Sequence, residues 1–503
     1  MRRTYRLAAL PLLALVLAAP ATAAKHHAPR KPIIAANEIT AMPPAPVETP
    51  SITLADALAI AYQTNPQLAA QQASLRASDE AVAIANGGWR PTISAGGTYG
   101  YQQYYFFPET VTDPATGAIL FGPFSTISAH PAQAALTVTQ PIFRGGRTYA
   151  QIGRAKAQVR AARAQLLAAE QTVLLSAATA YMDVVRDTQV LRLRQHNVQV
   201  LQKQADATQA QFNAGSLTRT DVAQAQARLA GAQSDLTAAQ SQLAISNANF
   251  LQAIGRQPET LEAEPALPPS LPTGVDDSIT LALKQNPAIV TARENEVAAD
   301  YSVDDAIGAL LPTLSVQGQY GYGQGSLVSP TGTLNASNGP PHTADHFVSV
   351  TGQLNVPIYQ AGVEDATLRQ ARELHSQAQL NVSVSDRQVR DAVAVAWAQF
   401  EAAEASIASN EAAVHANQVA FEGVSKEQQV GGRTILDVLN AEQELLNAQV
   451  ALVGAKRNAE VAAYSVLAAA GALTAKGLGL KVTLYDPLDH YDSDAARWIG
   501  FGD

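Results

Sequence analysis

Cysteine is absent from all 503 residues, so no disulfide staples the fold, and no cysteine follows the amino-terminal apolar run to take a lipid anchor. Long apolar runs are as scarce. Beyond residue 23 nothing approaches the ~18 apolar residues that a membrane-crossing helix needs, so any insertion into a bilayer has to use strands. Basic charge is short too: the formal net charge is −9, which argues against a nucleic-acid surface. There is no Walker loop, nucleophile elbow or HExxH helix, so neither catalysis nor a cofactor is expected. GYGQG at 321–325 has SLVSP after it where a helix should open, and is expected to be a glycine-rich extracellular loop. His26, His27, His342 and His346 have no cysteine or acidic partner at ligand spacing, so no metal site is expected.

What is present begins with Arg2, Arg3 and Arg6 ahead of the apolar run Leu7 to Ala19 and the small residues Ala21-Thr22-Ala23, the layout of a secretory signal over residues 1–23. Its removal takes away three arginines and no acids, moving the net charge from −9 to −12. Residues 24–50 are proline-rich and aperiodic, an extended arm. From there the chain repeats itself. AYQTNPQL (61–68) returns as ALKQNPAI (282–289) and RPTISAGGTYGY (90–101) as LPTLSVQGQYGY (311–322), both 221 positions on. After the next loop the offset settles at 216, pairing TQPIFRGGR (139–147) with NVPIYQAGV (355–363), so one loop is five residues shorter in the second copy. A period this long is a duplicated domain, not a solenoid. It divides the chain into copies at 51–273 and 274–475, joined by the prolines around Pro265 and Pro268, with a polar tail at 476–503 that carries no evident role.

Each copy has the order helix, two strands, very long helix, shorter helix. Helical periodicity covers 52–87, 145–213 and 219–254, while 91–102 and 134–143 alternate. At 1.5 Å per residue the long helix reaches ~100 Å and each shorter one ~54 Å, so two short helices laid end to end match one long one. Ile152, Val159, Leu166 and Val173 recur every seven residues opposite Ala155, Ala162 and Ala169. The shorter helix repeats that scheme and adds a second small stripe, Ala223, Ala230, Thr237 and Ala244, which lets one helix touch two neighbours. In the strands Ile93, Ala95, Gly97, Tyr99 and Tyr101 share one face against Thr92, Ser94 and Thr98, and Leu314, Val316, Tyr320 and Tyr322 repeat it. That is the apolar-out alternation of an outer-membrane strand, with Tyr99, Tyr101, Tyr320 and Tyr322 as the lipid-facing girdle. Four strands cannot close a barrel, so other subunits must complete the sheet; two chains supply eight and three supply twelve. Pro141 with Gly145 and Gly146, and Pro357 with Gly362, are expected to end the returning strands and turn the chain into the long helices.

The NP near the start of each copy, the two proline elbows, FNAGSLTRTDV (212–222) and QVGGRTILDVLNAEQ (429–443) resemble the outer-membrane efflux protein family of TolC-like channels over residues 51 to about 475. The resemblance implies a fold that is mainly α with a membrane β-barrel portion: a homotrimer with twelve strands in the outer membrane and a twelve-helix tunnel across the periplasm. It implies a passive exit duct of an efflux or type I secretion system, with a periplasmic adaptor, an inner-membrane transporter and outer-membrane lipid as partners. Gly215 and Gly431 interrupt the helices, and Thr220 with Asp221 or Thr434 with Asp437 begin the return helices, where they act as caps. By resemblance Asp437 matches the first of two acidic-ring positions, and Asn440 departs from the second, which implies a weaker cation preference. Arg433 matches an arginine that holds the closed state against the positions of Thr220 and Asp221, and Gln428 replaces that lock's tyrosine. The tips Ala214, Gly215, Ser216, Leu217, Val430, Gly431, Gly432 and Thr434 are expected to meet the adaptor. Two other readings are a periplasmic adaptor, which would lack lipid-facing strands, and a trimeric coiled-coil surface protein, which would lack both the duplication and the second small stripe.

Overall fold

The computed structural model describes residues 51–106, 110–121, 125–268, 270–324, 344–494 and 497–498. The expected export signal and arm, residues 1–50, lie outside them, as do His342 and Gly325. Copy one supplies α1 (Leu54–Thr64), α2 (Pro66–Asn86), β1 (Thr92–Tyr99), β2 (Gln102–Phe106), β3 (Thr110–Thr112), β4 (Ile119–Phe121), β5 (Ser125–Ala129), β6 (Ala132–Arg144), α3 (Arg147–Asn213) and α4 (Arg219–Ile254). Copy two supplies α5 (Val275–Gln285), α6 (Pro287–Ala309), β7 (Thr313–Gln324), β8 (Ala344–Asn355), α7 (Val363–Gln429) and α8 (Ile435–Ala469), and the tail adds α9 (Asp489–Asp494). Both long helices, α3 and α7, have 67 residues, about 100 Å of helix each.

Residues 52–87, which carry one continuous helical pattern, form two helices because of the Asn-Pro pair. Pro66 lacks an N–H and is suited to the first turn of α2, while Asn65 ends α1 and caps α2 by accepting from the Gln67 N–H at 2.9 Å. The other end of the same amide donates to the Ala253 carbonyl, 3.2 Å away, in the last turn of α4. One side chain thus satisfies a free acceptor at the end of one helix and a free donor at the start of the next. Copy two repeats the splice: Asn286 Nδ2 donates to the Ala469 carbonyl at 2.8 Å and its Oδ1 accepts from the Ala288 N–H at 2.9 Å. Gly255 and Gly471 close α4 and α8 with φ of 84° and 76°, and a Cβ on Gly471 would lie 2.8 Å from the Asn286 Cα. The end-to-end stacking expected from helix lengths is therefore made by a primary amide.

The main sheet is antiparallel in the order β1-β6-β7-β8. Its register puts Ile93 beside Val138, Leu136 beside Tyr320 and Tyr320 beside Val348 on one face, and Ser94, Thr137, Gln319 and Ser349 on the other. The apolar face is bare: Ile93, Leu136, Tyr320, Val348 and Val350 are all exposed. Tyr99 and Tyr101 are exposed as well, while Tyr322 is half-buried with its ring 5.1 Å from that of His346. Two expectations need correction. GYGQ is not a loop, since Gly321–Gln324 extend β7, and the first hairpin continues past the main sheet as two short ribbons, β2–β5 and β3–β4.

The first proline elbow also differs from expectation. Pro141 does not end β6; it forms a bulge between Pro141 and Phe143, after which the strand runs on to Arg144. In copy two β8 does stop at Asn355, before Pro357. Gly145, Gly146 and Gly362 adopt φ of 64°, 79° and 75°. Gly145 is required twice over, because a Cβ there would sit 2.2 Å from the Gly308 carbonyl oxygen. Its counterpart Ala361 adopts φ of 54°, a conformation that costs a non-glycine residue about 1 kcal/mol or more.

The largest buried cluster lies midway along α3, where Leu166, Val173, Leu174 and Tyr181 pack with α1, Phe250 and Ile254 of α4, and Leu467 and Leu473. Tyr181 is fully buried; its hydroxyl donates to the Ile52 carbonyl at 2.8 Å and accepts from the Glu262 N–H at 2.9 Å, tying the start of copy one to the linker. The tail is anchored along this side. The Tyr485 N–H donates to the Tyr62 hydroxyl, His490 lies 3.4 Å from the buried Asp79 of α2, and Arg90 covers the Trp498 ring at 4.9 Å.

Asn286→Asp keeps an acceptor for the Ala288 N–H but removes the donor to Ala469 and sets a charged oxygen against that carbonyl. It is expected to destabilise the purified protein by about 1–3 kcal/mol in thermal or denaturant unfolding; an unchanged midpoint would show that the splice contributes nothing.

Candidate functional site

The helical hairpins end in two tips that are built alike. In each, a glycine with positive φ, Gly215 at 80° or Gly431 at 79°, reverses the chain. The N–H groups of Gly215 and Ser216 donate to the carbonyls of Phe212 and Gln211, and those of Gly431 and Gly432 to Gln428 and Glu427. This crossed pair of bonds satisfies the last carbonyls of α3 and α7. The return helices start with capping boxes. Thr434 accepts from the Asp437 N–H at 3.3 Å, while the Asp437 carboxylate accepts from the Thr434 N–H at 3.0 Å and from its hydroxyl at 2.8 Å.

At the first tip the cap is Thr218, not Thr220. Thr218 exchanges the same three bonds with Asp221, and Thr220 is the second residue of α4 with its side chain exposed. The Thr-x-x-Asp spacing identifies it, and so does the 216-residue repeat, which pairs Thr218 with Thr434. These bonds hold both carboxyls below the usual carboxylate range: chiefly the Thr218 N–H for Asp221, and chiefly the Thr434 hydroxyl for Asp437. Each tip accordingly carries a fixed negative charge at neutral pH.

The structure does not bring Arg433 to Asp221 within one chain. Its guanidinium lies on Glu427 at the end of α7, Nε to Oε2 2.8 Å, across the turn. Gln428 is half-buried on α7 and gives its carbonyl to the turn. Asn440 accepts from Arg228 of α4 at 2.9 Å, bringing a cation one turn along α8 from Asp437. Neither Glu427 nor Arg228 was visible as a site residue in the sequence, since both act on exposed partners with no fixed spacing. The tips Ala214, Gly215, Ser216, Val430, Gly431, Gly432 and Thr434 are exposed, and Leu217 is half-buried.

Five residues beyond Asp437, Glu442 is buried, and burial pushes its carboxyl up to about 7. No pattern of the sequence signals this burial. Among the described residues no cluster of His, Cys, Asp or Glu is arranged to hold a metal ion, and no helix is long and apolar enough to cross a membrane.

A family model described as "Outer membrane efflux protein" matches residues 57–256 and again 278–472, one match per copy. The chain is 35% identical to outer membrane efflux protein BepC of Brucella suis biovar 1 (strain 1330), over 90% of this chain and 92% of that protein. It is 26% identical to outer membrane protein TolC of Escherichia coli (strain K12), covering 85% of each chain. Among solved structures, the Campylobacter jejuni CmeC outer membrane channel aligns with a TM-score of 0.70 at 17% identity, over 93% of this chain and 98% of that one.

Glu442 generates a test. Its pKa rises on folding from 4.5 to about 7, so the unfolded chain sheds this proton first. The contribution to stability is full below about pH 4.5 and falls as pH climbs through 7. Glu442→Gln is expected to raise the unfolding midpoint at pH 8 and leave it nearly unchanged at pH 4.5. An equal response at both pH values would show that burial of this carboxyl does not govern the hairpin's stability.

Proposed function

This chain belongs to the outer membrane efflux protein family and is an exit duct of the outer membrane, and from that premise we propose that three copies close one barrel and one tunnel. The observation that carries this reading is a sheet with one bare apolar face and edge strands, β1 and β8, that have no outer partner among the described residues, at the end of two matched 67-residue helices. Edges of that kind are not tolerated in hydrocarbon, where each unpaired backbone group costs several kcal/mol, so β8 of one copy meets β1 of the next. Three copies of the four-stranded sheet give twelve strands, and the long helices continue the passage into the periplasm.

The tips form the inner entrance. Three Asp437 carboxylates, held ionised by their caps, ring the axis and favour cations, and Asn440 supplies no second acidic ring. Arg228 at Asn440 weakens the cation preference further by adding positive charge beside the ring. The Arg433–Glu427 pair stiffens the α7–α8 turn, and release of this arginine loosens the closed entrance. The exposed tips at Ala214–Leu217 and Val430–Gly432, with Thr434, meet a periplasmic adaptor that connects the duct to an inner-membrane transporter. Cargo passes without chemical change, and its selection lies with those partners.

The membrane-extracted protein is expected to migrate as a heat-modifiable oligomer and to conduct ions in planar bilayers; a stable water-soluble monomer without conductance would overturn the reading. Asp437→Asn should move the reversal potential in a salt gradient toward zero, and an unaltered potential would remove Asp437 from the constriction. Arg433→Ala should raise single-channel conductance or open time, and wild-type records would leave Arg433 with a purely local role.

A further inference from the structure

The trimer reading leaves open how one copy recognises the next, and the duplication supplies the answer. Within the chain, β6 of copy one pairs with β7 of copy two. Strands β1 and β7 are repeat equivalents, as are β6 and β8, so the joint between chains, β8 to β1, reproduces a contact already present in one chain. The helices obey the same rule. Helix α3 lies between α2 and α6, whereas α7 has α6 on one flank and, among the described residues, no second helix of this kind on the other. Exposure records the missing neighbour: Ala150, Ala157 and Ala164 of α3 are buried, but their equivalents Ala366, Glu373 and Leu380 on α7 are exposed. Lower down, Leu439 and Leu446 of α8 are buried, while the corresponding Ala223 and Ala230 of α4 are exposed.

The residues at the two joints differ in a way that names the contact. Within the chain the α3–α6 contact carries the ion pairs Arg147–Asp305 at 3.1 Å and Arg160–Glu294 at 2.8 Å, and Gly153 lies under the Tyr301 ring. Carried to the joint between chains by the two repeat offsets, Arg147 and Asp305 become Val363 and Ile84, both exposed and apolar, and Arg160 and Glu294 become Ser376 and Ala73. Gly153 and Tyr301 become Arg369 and Glu80, both exposed and of opposite charge.

We infer that each subunit docks on a second copy of this chain by laying α7 on its neighbour's α2, with Arg369 paired to Glu80 and Val363 against Ile84. One charge pair replaces two, and it has moved to the position where the internal contact uses glycine and tyrosine. The pair sets register, because a slip of one helical turn would leave Arg369 opposite Ala77 or Ile84. This rests on the oligomeric reading above, and it adds which faces meet and in what alignment.

The absence of cysteine makes the test direct. Full-length Glu80→Cys/Arg369→Cys, extracted from membranes and treated with a short bis-maleimide, is expected to give denaturant-resistant species of up to three chains, whereas Glu80→Cys/Ser376→Cys, two turns out of register, is not. Charge exchange gives an independent reading: Glu80→Arg should lower the temperature at which the oligomer dissociates, and Glu80→Arg/Arg369→Glu should restore it. An oligomer by light scattering that cross-links at the displaced pair and not at Glu80/Arg369 would overturn the inference while leaving the duct reading intact. A monomer by light scattering would overturn both.

Discussion

A backbone amide in hydrocarbon has no water to bond to, and this constraint governs the molecule. The four-stranded sheet has its apolar face exposed and, among the described residues, two strands without an outer partner, a state tenable in a bilayer only when another copy supplies the missing ladder. In the proposed assembly, the pairing that closes one chain onto the next is anticipated inside the chain by β6 and β7. Duplication would thus give one polypeptide both the interface and its template.

Beneath the sheet the problem is reversed, since helices satisfy their own backbones except at their ends. The short helices stacked beside α3 and α7 would each expose free carbonyls and amides in the middle of a long rod. Asn65 and Asn286 lower that cost, each donating backward to one carbonyl and accepting forward from one N–H. Aspartate or serine could cap the following helix, but a carboxylate has no donor for the preceding carbonyl. The proline after each asparagine fixes the start of the next helix, and the glycines after α4 and α8 let the chain leave the rod.

Much of this was legible because heptads, strand alternation and a repeat with two offsets are patterns of spacing. The boundaries of α3 and α4, and the shared apolar face of Ile93 and Tyr99, follow from period alone. What was not legible depends on partners far apart in sequence or on local geometry. The Asn-Pro pair is visible, but its bond to Ala253, 188 residues away, is not. Pro141 looks like a strand terminator, yet the sheet absorbs it as a bulge because β7 pairs on either side of it. The Thr218 cap was recoverable from its repeat partner Thr434, whereas Arg228 on Asn440 and Glu427 on Arg433 join exposed side chains that no periodicity marks.

The equal length of α3 and α7 limits how such a chain can change over evolutionary time. A single inserted residue turns everything beyond it by about 100° and lengthens that rod by 1.5 Å, spoiling both heptad contacts and the level of the tips. Only insertions or deletions of about seven residues keep the faces aligned, and they must arrive together in both long helices and in the short ones stacked beside them. The reach of the duct is therefore quantised, and lineages that serve envelopes of different depth are expected to differ by whole pairs of turns.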